Sequence, residues 1–267
     1  MLGEESDGVA EARRSLVGEG THRRRLEHPV HLVEELERGI VDAGDHLTIG
    51  ARTVMTDLLR DDRIRRDYEA LADGAAVVGS VQIRNRATLA GNICNASPAA
   101  DTAPALLVYG ARVIAAGPAG SRTIPIDEFF VRSGVTTLAE GELVTAIELP
   151  RLAGRQGSVS VRRTRRRGHD LASVTLACTV GADGVTRLAY GSLGPRPVLV
   201  SDETGVLADP SAPETAKTQR LETLFAGASP SPRSMRASPD YRLAMLNVLG
   251  LRGVGIAIDR LASGAAG

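Results

Sequence analysis

Residues 78–107 set Gly79, Asn85, Thr88, Gly91, Asn92, Asn95 and Ser97 among alanines, between two apolar runs. Small side chains let another molecule reach the backbone. Successive N–H groups in such a loop form a concavity for anions. The short amides and hydroxyls can bond a ligand or brace the loop itself. Asp101 then precedes an apolar run with Pro104 in its first turn and Gly110 beyond its end, the order expected of a capped helix. The local expectation is a strand, a Gly/Ala/Asn loop and a helix start facing that loop, which suits a phosphate-bearing cofactor. On spacing alone a self-bracing tight loop explains the stretch equally well, because a lone glycine-rich loop is a weak signal.

The elements that must position this loop show in the periodicity. Residues 31–36 and 46–51 read as strands. The chain then turns helical from Thr53, with Ile64, Tyr68, Leu71 and Ala75 on one face. Residues 111–116, 121–126 and 142–150 read as further strands, and Phe129 and Phe130 as core. A turn-rich stretch at 150–157 marks a domain junction. Beyond it Val174, Leu176, Cys178 and Val180 alternate, Asp183-Gly184 turns the chain, and 185–190 returns, a hairpin that puts Cys178 in the core. Tyr241, Met245, Val248, Leu249, Ile256 and Leu261 lie along one long helical segment, which Gly250, Gly253 and Gly255 are expected to weaken or bend.

Composition narrows the function classes. A chain of 267 residues with 43% hydrophobic and 24% charged residues is expected to be a soluble globular protein with one large or two modest domains. Its formal net charge is zero and Lys217 is the only lysine. The five arginines Arg162, Arg163, Arg165, Arg166 and Arg167 read as a solvated edge or a contact for a cofactor or subunit; a neutral chain with few aromatics argues against nucleic acid. Cys94 and Cys178 are far apart and lack metal spacing, so neither a zinc site nor an iron–sulfur cluster is expected here. No run approaches the length expected of a membrane span, and no leader is recognisable, so the cytoplasm is the expected compartment. His169 has no paired carboxylate or serine in a recognisable pattern and reads as a surface or structural histidine.

The ordered run Gln82-Ile83-Arg84-Asn85, Thr88-Leu89-Ala90-Gly91-Asn92, Asn95-Ala96-Ser97-Pro98, Asp101 and Pro104 resembles the second flavin-binding motif of the FAD-binding (medium) subunits of molybdenum hydroxylases, the xanthine dehydrogenase-like and carbon monoxide dehydrogenase-like enzymes. Two family glycines are alanines here, Ala87 and Ala90, and the added Cβ of Ala90 is expected to narrow the approach to the cofactor. The similarity continues through Asp127-Glu128-Phe129-Phe130, the strand containing Val144, the segment Arg162 to Val174, the turn from Gly191 to Pro197, and Arg236 to Arg242. Arg162 stands where the family has a lysine. The family's first glycine turn, which holds the FAD pyrophosphate, is matched only by an eroded Gly18-Glu19-Gly20-Thr21-His22.

The resemblance implies an α+β fold, with a PCMH-type FAD-binding domain over 1–152, its N-terminal part eroded. A smaller α+β domain of antiparallel sheet and helices follows over 158–262. It implies FAD as the cofactor, bound by Val78, Thr88, Leu89, Ala90, Gly91, Asn92, Asp101, Val144 and Arg162, with Asp101 bonding a sugar or base polar group. It also implies an iron–sulfur small subunit and a molybdopterin large subunit as partners. Electrons would pass from the partner's clusters through FAD to an acceptor. Flavin carries that chemistry itself, so no catalytic acid, base or nucleophile is expected in this chain. The alternative is a structural subunit that kept the fold and lost or weakened FAD binding.

Overall fold

The computed structural model describes residues 36–166, 168 and 170–263. The Gly18–His22 turn, residues 31–35 of the first expected strand, Arg167 and His169 lie outside the described residues. Strands β1 (Ile40–Asp42) and β2 (His46–Gly50) lead into helices α1 (Met55–Arg60), α2 (Asp62–Asp67) and α3 (Glu69–Ala76). The expected single helix from Thr53 is therefore broken. Asp61 is the reason: its extended backbone ends α1, while its carboxylate accepts from the N–H groups of Arg63 and Ile64 to start α2. The expected face survives, with Ile64, Tyr68, Leu71 and Ala75 all buried.

Helices α4 (Val81–Arg84), α5 (Leu89–Cys94) and α6 (Ala103–Val108) come next. They correct the strand-and-loop expectation for residues 78–101. Gly79 sits at φ +53° and Ser80 caps α4 by accepting from Ile83 N–H. The apolar Val81 and Ile83 therefore stand on an exposed turn, 60% and 42% accessible, rather than in a sheet. Then follow β3 (Arg112–Gly117), β4 (Gly120–Pro125), α7 (Ile126–Phe129), the short pair β5 (Phe130–Arg132) and β6 (Val135–Thr136), and β7 (Leu143–Pro150). The first sheet has the order β1-β2-β7-β3-β4 and is antiparallel throughout. Its register shifts between Ile114 and Ala115, leaving Thr145 of β7 as the extra residue of a bulge.

The second half contains β8 (Gln156–Arg163), β9 (Val174–Gly181), β10 (Thr186–Gly191), β11 (Val198–Asp202), α8 (Glu214–Leu224) and α9 (Pro239–Ser263). Its sheet is antiparallel in the order β11-β10-β9-β8. The β9–β10 hairpin turns at Asp183-Gly184, with Gly184 at φ +84°, and Cys178 is fully buried as expected. The architecture is the expected mixture of helices and antiparallel sheet.

Helix α6 joins the halves. All six of its residues are buried, and the first hydrophobic cluster extends through it to Ala177 and Ala189 on the second sheet. Burying each of Leu106 and Leu107 contributes roughly 1.5–3 kcal/mol. Polar ties reinforce the junction: Arg260 Nη1 donates to Asp73 Oδ2 at 2.7 Å and to the Ser158 carbonyl at 2.6 Å. The buried Tyr109 hydroxyl lies 2.6 Å from Ser158 Oγ.

Helix α9 runs unbroken through its glycines. Gly250 faces Phe225 and Leu221, and Gly253 faces Leu176, so a Cβ at either would fall within about 3 Å of a neighbour. By length and composition α9 is also long and apolar enough to cross a membrane. That corrects the expectation that no run approaches such a span, and the reason is its role as a core helix against β8 and β9. The approach to β8 is close: a Cβ on Gly157 would lie 1.9 Å from the Ala257 carbonyl oxygen. We expect Gly157→Ala to push α9 off the sheet and destabilise the protein by at least about 1–3 kcal/mol. An unchanged denaturant midpoint would contradict this packing.

Candidate functional site

The side chains named from the sequence fall into two groups. Val78, Leu89, Ala90 and Val144 are buried in the first core, at 9%, 0%, 5% and 5% accessibility. Ala90 turns its Cβ into that core rather than outward, which corrects the expectation that it narrows an approach from solvent. Val144 lies on β7 beside the Thr145 bulge and pairs with Ala115. Thr88, Gly91, Asn92, Asp101 and Arg162 are less buried than these four.

Thr88 is the N-cap of α5, its Oγ1 accepting from Gly91 N–H at 2.9 Å. Leu89 N–H donates to the Thr53 carbonyl and Asn92 N–H to the Thr88 carbonyl. The expected anion concavity is therefore a helix start whose N–H groups at Leu89, Gly91 and Asn92 are committed within the fold. Gly91 itself is exposed, and an added Cβ would meet only Thr88 Oγ1, at 2.9 Å. Thr102 Oγ1 donates to Asn92 Oδ1 at 2.7 Å, which leaves the NH₂ end of Asn92 as a donor. The Thr88 hydroxyl proton is a second donor, since only its oxygen is used by the cap.

Asp101 does not cap α6 as expected. Thr102 is the N-cap residue and makes no side-chain cap bond, while Pro104 lies in the first turn and Gly110 at φ +62° ends the helix. The Asp101 carboxylate instead reaches across to β8, where Arg162 Nη1 donates to Oδ2 at 2.9 Å. Its other oxygen, Oδ1, is buried and has no hydrogen-bond partner. Burial pushes the Asp101 pKa up to about 6, against the opposing pull of the Arg162 charge and hydrogen bond. A buried, unpartnered carboxylate oxygen is costly.

Two positioning residues escape a reading of the motif. Thr102 orients Asn92. Ser192, at φ +69°, donates its N–H to the Pro98 carbonyl at 2.6 Å and its hydroxyl to Ala172 O at 3.1 Å. The neighbouring Gly191 lets this happen, since a Cβ there would lie 2.7 Å from Pro98 O. The Gly191-Ser192 pair is visible in the sequence; its partner at Pro98 is not. Among the described arginines of the cluster, only Arg162 reaches Asp101. Arg163 donates to Tyr241 Oη, while Arg165 and Arg166 pair with Asp170.

Two clefts, of about 480 and 680 Å³, lie at the domain junction around Arg151, Arg155 and Gln156. None of the nine residues named from the sequence lines either one. Four of them are buried, Thr88, Asn92, Asp101 and Arg162 are half-buried, and Gly91 is exposed. Thr88 and Asn92 supply donors and Asp101 an acceptor, the group types that a nucleotide's hydroxyls and base would use.

Comparison with known proteins shows the family. Residues 19–152 match the family model of the FAD binding domain in molybdopterin dehydrogenase, and residues 160–255 match that of the CO dehydrogenase flavoprotein C-terminal domain. The chain is 31% identical to the xanthine dehydrogenase FAD-binding subunit of Escherichia coli O157:H7, over 85% of this chain and 80% of that one. It is 28% identical to the carbon monoxide dehydrogenase medium chain of Hydrogenophaga pseudoflava, over 89% and 85%. Among solved structures, a carbon monoxide dehydrogenase from Hydrogenophaga pseudoflava aligns with a TM-score of 0.75 and 27% identity, covering 84% of this chain and 78% of that one. With the family model spanning half the chain and a relative above 30% identity along most of it, this protein belongs to the FAD-binding medium subunits of the molybdenum hydroxylases.

Proposed function

We propose that this chain is the flavoprotein subunit of a molybdenum hydroxylase, and that it holds FAD on the face formed by Thr88, Gly91, Asn92, Asp101 and Arg162. The single observation that carries the placement is the buried Asp101 Oδ1 without a partner, on a carboxylate aimed by Arg162. Asp101 accepts from a sugar hydroxyl or base N–H, while Thr88 and Asn92 donate. Val78, Leu89, Ala90 and Val144 keep this face rigid from beneath. Bound there, FAD supplies the redox chemistry, accepting electrons and delivering them onward. The chain's own part is to bind and orient it. Electrons come from an iron–sulfur small subunit, substrate oxidation belongs to a molybdopterin large subunit, and an external acceptor completes the transfer. The names of the relatives as medium chains and FAD-binding subunits support this assembly. Residues 1–152 and 158–262 serve as the two domains, and the cytoplasm is the proposed compartment.

A second reading, a structural subunit with weakened FAD binding, is favoured by the N–H groups of Leu89, Gly91 and Asn92 being committed within the fold and by Glu19 in the eroded turn. The visible flavin absorbance of the purified chain, before and after FAD addition, decides between the two; its absence in both would overturn the leading reading.

Asp101→Ala should weaken FAD binding roughly 10- to 100-fold, the loss of one hydrogen bond to a charged group. Unchanged affinity in a calorimetric titration would remove Asp101 from the site. The pH dependence has a definite sign. Because the folded pKa of Asp101 is raised to about 6, its contribution to stability is present below the unfolded pKa and is lost as pH rises through about 6. A ligand donor on Oδ1 favours the ionised form, so FAD should bind more tightly above pH 6 than below, and the inflection should vanish in Asp101→Asn. Gly91→Val should displace the Thr88 cap, costing about 1 kcal/mol of stability, and should impair flavin retention; a variant that keeps its full flavin would show that the face over Gly91 is not used.

A further inference from the structure

Thr102 is fully buried and stands at the N-cap of α6, yet its side chain makes no cap bond. A threonine in that position ordinarily accepts from the N–H of the second or third helical residue. Here Pro104 is the second helical residue and has no N–H to offer. The Thr102 backbone is itself helical, at φ −91° and ψ −24°, whereas a capping residue is typically extended. A buried hydroxyl is costly unless it is hydrogen-bonded. Among the described residues this hydroxyl makes one bond, and the bond leaves the helix: Oγ1 donates to Asn92 Oδ1 on α5 at 2.7 Å. The start of α6 does not use the hydroxyl; Asn92 does.

Asn92 needs such a partner to keep one orientation. The terminal torsion of an asparagine is broad, so an amide without a partner samples several settings. Asn92 is half-buried, and among the described residues Thr102 is the hydrogen-bond partner of its side chain. Thr102 is a stiff partner. Branching at Cβ restricts its χ1, and α6 is buried along all six residues. Asp101 and Thr102 are consecutive, so one backbone sets both the carboxylate that Arg162 meets at 2.9 Å and the hydroxyl that holds Asn92. With Oδ1 engaged by Thr102, the NH₂ end of the amide is left to donate. An amide already held loses little further rotamer freedom when a ligand binds, which raises affinity without any new contact.

Resting on the cofactor placement above, we propose that Thr102 is a positioning residue for FAD. It is buried away from the cofactor and acts through Asn92, fixing the amide so that its NH₂ end donates to the nucleotide. The test titrates FAD calorimetrically into the full chain and into Thr102→Val, Thr102→Ser, Asn92→Ala and the Thr102→Val/Asn92→Ala double variant, with thermal unfolding as a control. Thr102→Val should weaken FAD binding about 3- to 10-fold, the worth of one neutral hydrogen bond, and Thr102→Ser should keep the wild-type affinity. Asn92→Ala should weaken binding at least as much as Thr102→Val. The double variant should be no weaker than Asn92→Ala alone, because Thr102 acts only through that amide. In the protein without FAD, the side-chain amide signals of Asn92, assigned by their loss in Asn92→Ala, should move in Thr102→Val and stay in place in Thr102→Ser. Full affinity in Thr102→Val, additive losses in the double variant, or unmoved amide signals overturn the proposal. If Thr102→Val fails to fold, Asn92→Ala still decides: full FAD affinity there overturns the proposal by itself. Where Asp101→Ala nonetheless weakens binding, only the role of Thr102 falls; a wild-type chain that takes up no FAD removes the cofactor placement as well.

Discussion

The burial of one six-residue helix governs the rest of this structure. Helix α6 hides every side chain, and it does so against both halves at once, ending on the small side chains of Ala177 and Ala189. Larger residues at those two positions would hold the helix off the sheet. The apolar area removed from water at this seam is what makes the two sheets one body. Everything proposed for cofactor binding follows from that. Asp101 and Thr102 are the residues that enter α6, so their positions are set by how deeply the helix is seated.

The proposed cofactor face is consequently shared between the halves. Thr88, Gly91, Asn92 and Asp101 come from the first, and Arg162 comes from β8 of the second. The loop between Asn95 and Ala100 is held from both sides: Ser192 bonds Pro98, and Gly134 N–H bonds the carbonyl of Ala96, itself at φ +45°. Positive φ at two non-glycine residues costs of order 1–3 kcal/mol each. Such strain persists only where the surroundings fix the backbone firmly. Together with a buried carboxylate that keeps one oxygen unpartnered, it means the face carries an energetic cost that nothing in this chain's own packing explains.

The second half follows a similar economy of small residues. Gly157 lets β8 touch α9, Gly191 lets β10 touch the Pro98 loop, and Gly253 lets α9 settle on Leu176. At each point a missing Cβ sets how closely two backbones approach, and so the relative placement of the elements that carry Arg162 and Asp101.

Much of this was readable from the residues alone. The alternation of Val174 to Val180, the Asp183-Gly184 turn, the inward Cys178 and the apolar positions 64, 68, 71 and 75 follow from period and turn chemistry, which are local. The ordered Asn, Thr, Gly and Asp residues of 82–104 were enough to identify the family, because that order is chemically unusual. Local pattern failed where contacts remote in sequence decide. Val81 and Ile83 look like strand residues, but Gly79 and Ser80 turn them into an exposed helix. Asp101 looks like a cap, but the charge of Arg162, 61 residues away, draws it off α6. Ala90 looks like an obstruction, but the seating of α5 turns its methyl group inward. The glycines of α9 look like defects, yet two are contact points. In each case the residue type was known from the sequence, while its role depended on a neighbour that only the packing of the two sheets around α6 brings within reach.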